Sequence, residues 1–203
     1  MELIYIANLN SIHTVRWVNF FANLNKYQIT CISLKSRNKE TNNNVRVLLL
    51  KNYFDILNLI KSILILGSKK KSIIHVHYLG WHSLLLFFAN KNKTIILTPW
   101  GCDIYHNKKN LLKKFFLILL FKKCDYIICD SSKLIRAASE LGASKIRSEI
   151  IAFGTDIKKY KSTRKAFSNI VESNFINIGT NRYMEEIYDP ITLLKAANIL
   201  SKK

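Results

Sequence analysis

With 203 residues, about half of them hydrophobic, the chain has enough apolar material for a folded core and lacks the composition of a disordered segment. Lysine and arginine number 32 against 13 acids, a formal net charge of +19, which points to an anionic partner: nucleic acid, an acidic membrane surface or a phosphorylated substrate. No uninterrupted apolar run approaches the roughly 20 residues of a membrane-spanning helix, and the four cysteines form no C-x-x-C pair and have no histidine at zinc spacing.

Met1-Glu-Leu-Ile-Tyr-Ile lacks a basic leader region, so it reads as a first strand over residues 3–7 and not as a signal peptide. Together with unpaired cysteines in apolar runs, this predicts a reduced, cytoplasmic protein. The loop Asn8-Leu-Asn-Ser-Ile-His13 follows, with Ser11 placed to cap a helix over 15–25. His13 and Arg16 fall on one side of that helix, where His13 either meets a phosphate or sugar hydroxyl or is a surface histidine beside an Arg16 salt bridge. Strands at 28–34 and 45–50 and a helix at 54–66 come next.

The strand at 72–76 ends in His75-Val-His77. Alternation puts both histidines on one face, with His77 nearer the carboxyl end as a polar pocket residue and His75 structural. A short helix at 83–89 leads to a strand at 94–98, which runs into Pro99-Trp100-Gly101-Cys102-Asp103. Trp100 there is a stacking plate for a sugar ring or an ordinary buried indole. Asp103 accepts from a sugar hydroxyl or caps the turn after Gly101. It is the only acid between Ile56 and Cys124, a stretch that carries twelve lysines. The alternative source of the charge is a chain-wide bias toward Lys, Asn and Ile.

Lys113-Lys-Phe-Phe-Leu-Ile-Leu-Leu-Phe-Lys-Lys123 belongs to a helix over 111–122, apolar all round between lysine pairs. Such a helix is buried in the core or half-sunk in a bilayer interface with its lysines snorkelling. A strand at 126–129, a helix at 132–141 capped by Asp130-Ser-Ser132 and stopped by Gly142, and a strand at 149–153 complete the first pattern. The fold class is therefore α/β, a doubly wound, mainly parallel sheet with helices on both faces. After residue 158 the pattern lapses into a basic linker. A strand at 175–179, Asn181-Arg182, Pro190 and a helix at 191–200 then open a second domain, one β-α unit of which cannot bury its own apolar face. There is no G-x-G-x-x-G motif and no helix-turn-helix, zinc-finger or RNP signature, so nucleic acid is not an expected partner.

Five segments occurring in order, Ser11-Ile-His-Thr-Val-Arg-Trp17, Ile74-His-Val-His-Tyr78, Thr98-Pro-Trp-Gly-Cys-Asp-Ile104, Cys124-Asp-Tyr-Ile-Ile-Cys-Asp-Ser131 and Ile151-Ala-Phe-Gly-Thr-Asp156, resemble the N-terminal half of a family 4 glycosyltransferase with the GT-B fold. The resemblance implies an acceptor-side Rossmann-like domain over 1–160, a basic linker over 161–173 and the start of a nucleotide-sugar-binding domain over 174–203. It implies transfer of a sugar, with retention, from a nucleotide-sugar to a polysaccharide or lipid-linked acceptor, without an essential metal or cofactor. His13, Arg16, His77, Trp100, Gly101 and Asp103 would line the acceptor cleft. Arg182 would face the donor diphosphate, a task that suits a bidentate guanidinium. Lys113, Lys114, Phe115, Phe116, Lys122 and Lys123 would contact an anionic membrane face. Many relatives carry His-Gly where this chain has Trp100-Gly101, so no catalytic histidine carries over there. The family's paired-glutamate donor motif is missing because the chain ends first, so the second domain is expected to be truncated and the chain incomplete and inactive alone, with a separate chain able to supply that half; the alternative expectation is a non-catalytic Rossmann-like subunit or remnant that binds a partner chain or membrane.

Overall fold

The first unit of the chain, Met1–Gly154, holds seven strands among the described residues: β1 (Glu2–Ala7), β2 (Gln28–Leu34), β3 (Val45–Leu50), β4 (Ser72–His77), β5 (Lys93–Thr98), β6 (Tyr126–Cys129) and β7 (Arg147–Ile150). The structure is a computed structural model that describes residues 1–34, 37–50, 55–154 and 188–201, with positions 157, 179 and 184. The strands form one sheet in the order β3-β2-β1-β4-β5-β6-β7, and every pairing is parallel. Central strands of such a sheet are covered on both faces and so read as continuous apolar runs. Leu3 to Ala7 in β1 are all buried, whereas the edge strand β7 (Arg-Ser-Glu-Ile) is exposed throughout.

Alternation along β1 assigns the two sides. Leu3 and Tyr5 join Val15, Val18 and Ala22 of α1 (Ile12–Asn23) in one apolar cluster. Ile4 and Ile6 join the other, built with α2 (Ile56–Gly67), a 3-10 helix (Trp81–Phe88), α4 (Leu111–Lys122) and α5 (Ser132–Ala138). This division follows from right-handed crossovers: the chain winds from β1 to β3 in one direction and from β4 to β7 in the other. The order reverses between β1 and β4, so a crevice opens outside their carboxyl ends, the usual ligand position in open parallel sheets.

The α/β class and parallel sheet agree with the expectation, and several boundaries move. In place of the helix expected over 83–89 stands the 3-10 helix Trp81–Phe88, with Ala89 after its end; it buries Ser83, Leu85 and Leu86 and leaves Trp81, Leu84, Phe87 and Phe88 exposed. The expected strand 149–153 is shifted to β7, because pairing with β6 runs from Tyr126↔Arg147 to Cys129↔Ile150. The helix expected over 132–141 is α5 followed by a widened turn, Ser139–Ala143, in which the helical backbone breaks at Leu141 and Gly142, the latter with φ +97°. Asp130 and Ser131 bond each other, Ser131 Oγ to Asp130 Oδ1 at 2.9 Å, and neither Ser131 nor Ser11 makes a side-chain cap. Two short pieces, α3 (Cys102–Tyr105) and a 3-10 turn (Asn107–Lys109), are too short for any apolar period to reveal.

The second unit spans Thr155–Lys203. Its described element is α6 (Pro190–Leu200), where Asp189 accepts from Thr192 N at 3.3 Å and Pro190 occupies the first turn. The expected linker 161–173, most of the expected strand 175–179 and Arg182 lie outside the described residues. No helix among the described residues is long and apolar enough to cross a membrane.

Candidate functional site

The loops after β4 and β5 are joined by one carboxylate. Asp103, at the start of α3, is fully buried, and its oxygens accept from Leu79 N at 2.7 Å, Trp100 N at 3.0 and 3.2 Å and Gly101 N at 2.9 Å. Burial pushes its carboxyl upward, while these N–H donors favour the charged form and pull it back. Of the two roles open to Asp103, the geometry supplies the structural one: it closes the turn and ties it to the β4 loop. Gly101 sits in that turn at φ +103°, a conformation side-chain-bearing residues rarely adopt.

Trp100, held by that turn, lies in an aromatic cluster across the mouth of the switch point. Its ring packs edge-on against His13 at 5.5 Å, His77 at 6.4 Å, Tyr78 at 5.9 Å and Phe153 at 5.9 Å. Phe153 also covers His13 at 5.0 Å. Its segment is anchored by Arg16, whose Nη1 donates to the Gly154 carbonyl at 2.8 Å. Arg16 thus binds a backbone oxygen in place of the salt bridge considered for it. Burial and the Arg16 charge both hold His13 below the ordinary histidine range.

His77 is placed differently from the expectation of a pocket-lining residue. It is fully buried among Tyr5, Trp17, His75 and Trp100, and neither ring nitrogen has a hydrogen-bond partner among the described residues. Burial, and then the neighbouring His75, His13 and His82, keep it well below the usual histidine pKa. His75 is structural, with Nε2 2.7 Å from Thr98 Oγ1, and burial pushes it down to about 3. His82 Nε2 donates to the His77 carbonyl at 3.1 Å. His13 Nδ1 and Trp100 Nε1 are likewise buried without a partner. Among the described residues no group of three His, Cys, Asp or Glu side chains could hold a metal ion.

On the other side of Trp100 a cavity of about 410 Å³ opens outside the carboxyl ends of β5 and β6, lined by Trp100, Gly101, Tyr105, Asp130, Ser131, Lys133 and Leu134. Its size falls within the range of small-molecule sites. It combines indole and phenol groups with a carboxylate, a hydroxyl and an ammonium, and Lys133 makes no ion pair among the described residues. Tyr105 and Lys133 are not singled out by the sequence; Asp130 and Ser131 stand there in a helix-cap cluster and at the end of one of the segments that carry the family resemblance, with no role in the cleft. Of the expected cleft residues, His13, Arg16, Trp100 and Gly101 gather at this end of the sheet, while His77 and Asp103 lie a layer beneath it.

The basic helix α4 divides along its length. Leu117, Leu120 and Phe121 are buried under the sheet, whereas Lys113, Lys114 and Phe115 are exposed, as is Lys122 near its end. Phe116 stacks on Trp81 at 6.1 Å. Lys123 donates to the Leu86 and Phe87 carbonyls at 3.2 and 3.4 Å and lies over the Phe87 ring. Core burial and surface exposure, alternatives for the helix as a whole, each hold for part of it.

A family model described as glycosyl transferase 4-like matches residues 2–131, a span that contains β1 to β6 and every cleft residue named above from His13 to Ser131. No curated protein matches the chain.

Proposed function

The chain belongs to the glycosyl transferase 4-like family, and from that premise we propose that its first unit is the acceptor side of an enzyme moving a sugar from a nucleotide-sugar donor to a polysaccharide or lipid-linked acceptor. The cavity beside Trp100 carries this reading. Trp100 and Tyr105 offer aromatic faces to a sugar ring, Asp130 and the Ser131 oxygen accept from its hydroxyls, and Lys133 donates. The Asp103 latch holds the Trp100 backbone before substrate arrives, so the wall is preorganised. His13, neutral near pH 7, is placed beside Trp100 to donate to or accept from a hydroxyl. Arg182 is assigned to the donor diphosphate, and transfer with retention and without metal or cofactor is part of the proposal. The exposed first turns of α4 would hold the protein at an anionic cytoplasmic membrane face, where each lysine contributes about 1 kcal/mol.

A transfer assay with a panel of nucleotide-sugars and saccharide or lipid-linked acceptors tests this. Turnover is expected when a separate chain supplying the donor-binding half is present, with Asp130→Asn lowering kcat/KM for the acceptor roughly tenfold to a hundredfold, the range of a hydrogen bond to a charged group. An unchanged acceptor dependence in that variant removes the assignment of the cavity. A second reading, a non-catalytic sugar-binding subunit, is favoured by one observation: His77 and Asp103, two of the ionisable residues expected in the cleft, are interior. Acceptor binding without turnover of any donor, even with a chain supplying the donor-binding half present, would select it.

A further inference from the structure

We infer that the surface shared by the 3-10 helix Trp81–Phe88 and the first turns of α4, continued by the outer side of α2, docks on an anionic lipid bilayer, with Trp81, Leu84 and Phe88 as its inserted wedge. This deepens the α4 contact proposed above and rests on it, but shifts the apolar anchor to a different element. The 3-10 helix carries eight residues, Trp-His-Ser-Leu-Leu-Leu-Phe-Phe, and turns half of them outward. Trp81 is 64% exposed and Phe88 50%, beside Leu112 at 81% and Phe115 at 60% on α4. Large contiguous apolar exposure of this kind marks an interaction surface. The elements are held together: Trp81 stacks on Phe116, Lys123 caps the Leu86 and Phe87 carbonyls, and α2 packs against the 3-10 helix, with Asn90 N bonded to Leu66 O at 3.0 Å.

Charge selects the occupant. From Ile56 to Cys124 the sole acid is Asp103, and it is fully buried. The surface of this stretch therefore presents lysines and no carboxylate, with Lys61, Lys91, Lys113, Lys114 and Lys122 all exposed. Aromatic and leucine side chains interleaved with lysines fit a bilayer interface, where rings sink to the headgroup level and ammonium groups reach phosphates. The wedge also lies close to the candidate site. Tyr78-Leu79-Gly80 leads from the end of β4 directly into it, and Leu79 N is gripped by Asp103, the same side chain that fixes Trp100. Docking through this face would bring a lipid-linked acceptor to the cleft.

Co-sedimentation with vesicles of equal parts phosphatidylglycerol and phosphatidylcholine, against phosphatidylcholine alone, tests the inference on the full chain. The unmodified protein is expected on the anionic vesicles, and Trp81→Ser with Phe88→Ser is expected to weaken partitioning by roughly tenfold or more. Trp81→Phe keeps an apolar ring and is expected to bind, while losing the blue shift of tryptophan emission that vesicles induce in the unmodified protein. Loss of binding in Lys113→Glu with Lys114→Glu, but not in the Trp81/Phe88 double variant, would overturn the wedge and leave the α4 contact standing. Absence of binding by the unmodified protein would remove both. A dimer in solution that the Trp81/Phe88 variant dissolves, with vesicle binding unchanged, would assign the surface to a second copy and overturn the inference.

Discussion

Asp103 and His77 are both fully buried polar side chains beneath Trp100, yet their energetics are opposite. Asp103 has its oxygens filled by backbone donors, so burial organises two loops. His77 has no partner on either nitrogen, and a buried polar group left unpaired costs about 1–3 kcal/mol. It is kept neutral, as is His75. For both, the folded pKa lies below the unfolded value of about 6.5, so their contribution to stability is complete above that value and is lost as pH falls toward the folded pKa, about 3 for His75. Urea unfolding of His77→Leu should show equal or greater stability at pH 7 and a shallower loss between pH 6.5 and 4 than the unmodified protein; an unchanged pH profile would refute the linkage. Periodicity told that His75 and His77 share a face of β4. It could not tell how deep that face lies, because depth is set by Trp17, Tyr5 and Trp100, which come from three other segments.

At the scale of elements, α4 shows how one apolar sequence serves two environments. Its boundaries, Leu111–Lys122, were readable from the lysine pairs and the apolar run between them, and Asn110 caps it by accepting from Lys113 N at 3.2 Å. Which leucines are interior was not readable, since a helix apolar all round has no distinguishing stripe. Leu120→Ala is expected to destabilise by roughly 2–5 kcal/mol, the cost of a core truncation. Leu112→Ser, on the exposed turn, is expected to stay within about 0.5 kcal/mol. Denaturant midpoints for the two variants check the division, and equal losses would contradict it. The sequence suggests a helix at 83–89 without telling its winding for a related reason: a run of leucine and phenylalanine fits either winding, and the short crossover from β4 to β5 takes the tighter one.

For the molecule as a whole, the seven parallel strands and the two apolar clusters on their faces all fall within Met1–Gly154. A fragment comprising residues 1–154 keeps both clusters and the Arg16–Gly154 hydrogen bond, so it is expected to unfold cooperatively in urea with a native near-ultraviolet circular dichroism spectrum. A fragment without a cooperative transition would show that the core needs residues beyond 154. By itself the sequence determined the fold class, most strands to within a residue or two, and the segments that make up the candidate site, because those are local signals: apolar runs of strand length, capping residues, and glycine, proline and asparagine at turns. The tertiary structure decided which of those residues meet. It buried Asp103 and His77, brought Phe153 over His13, and set Tyr105 and Lys133 around a cavity with Trp100. Those outcomes depend on strand order and on contacts between residues scores of positions apart, and the spacing within any one segment carries no information about them.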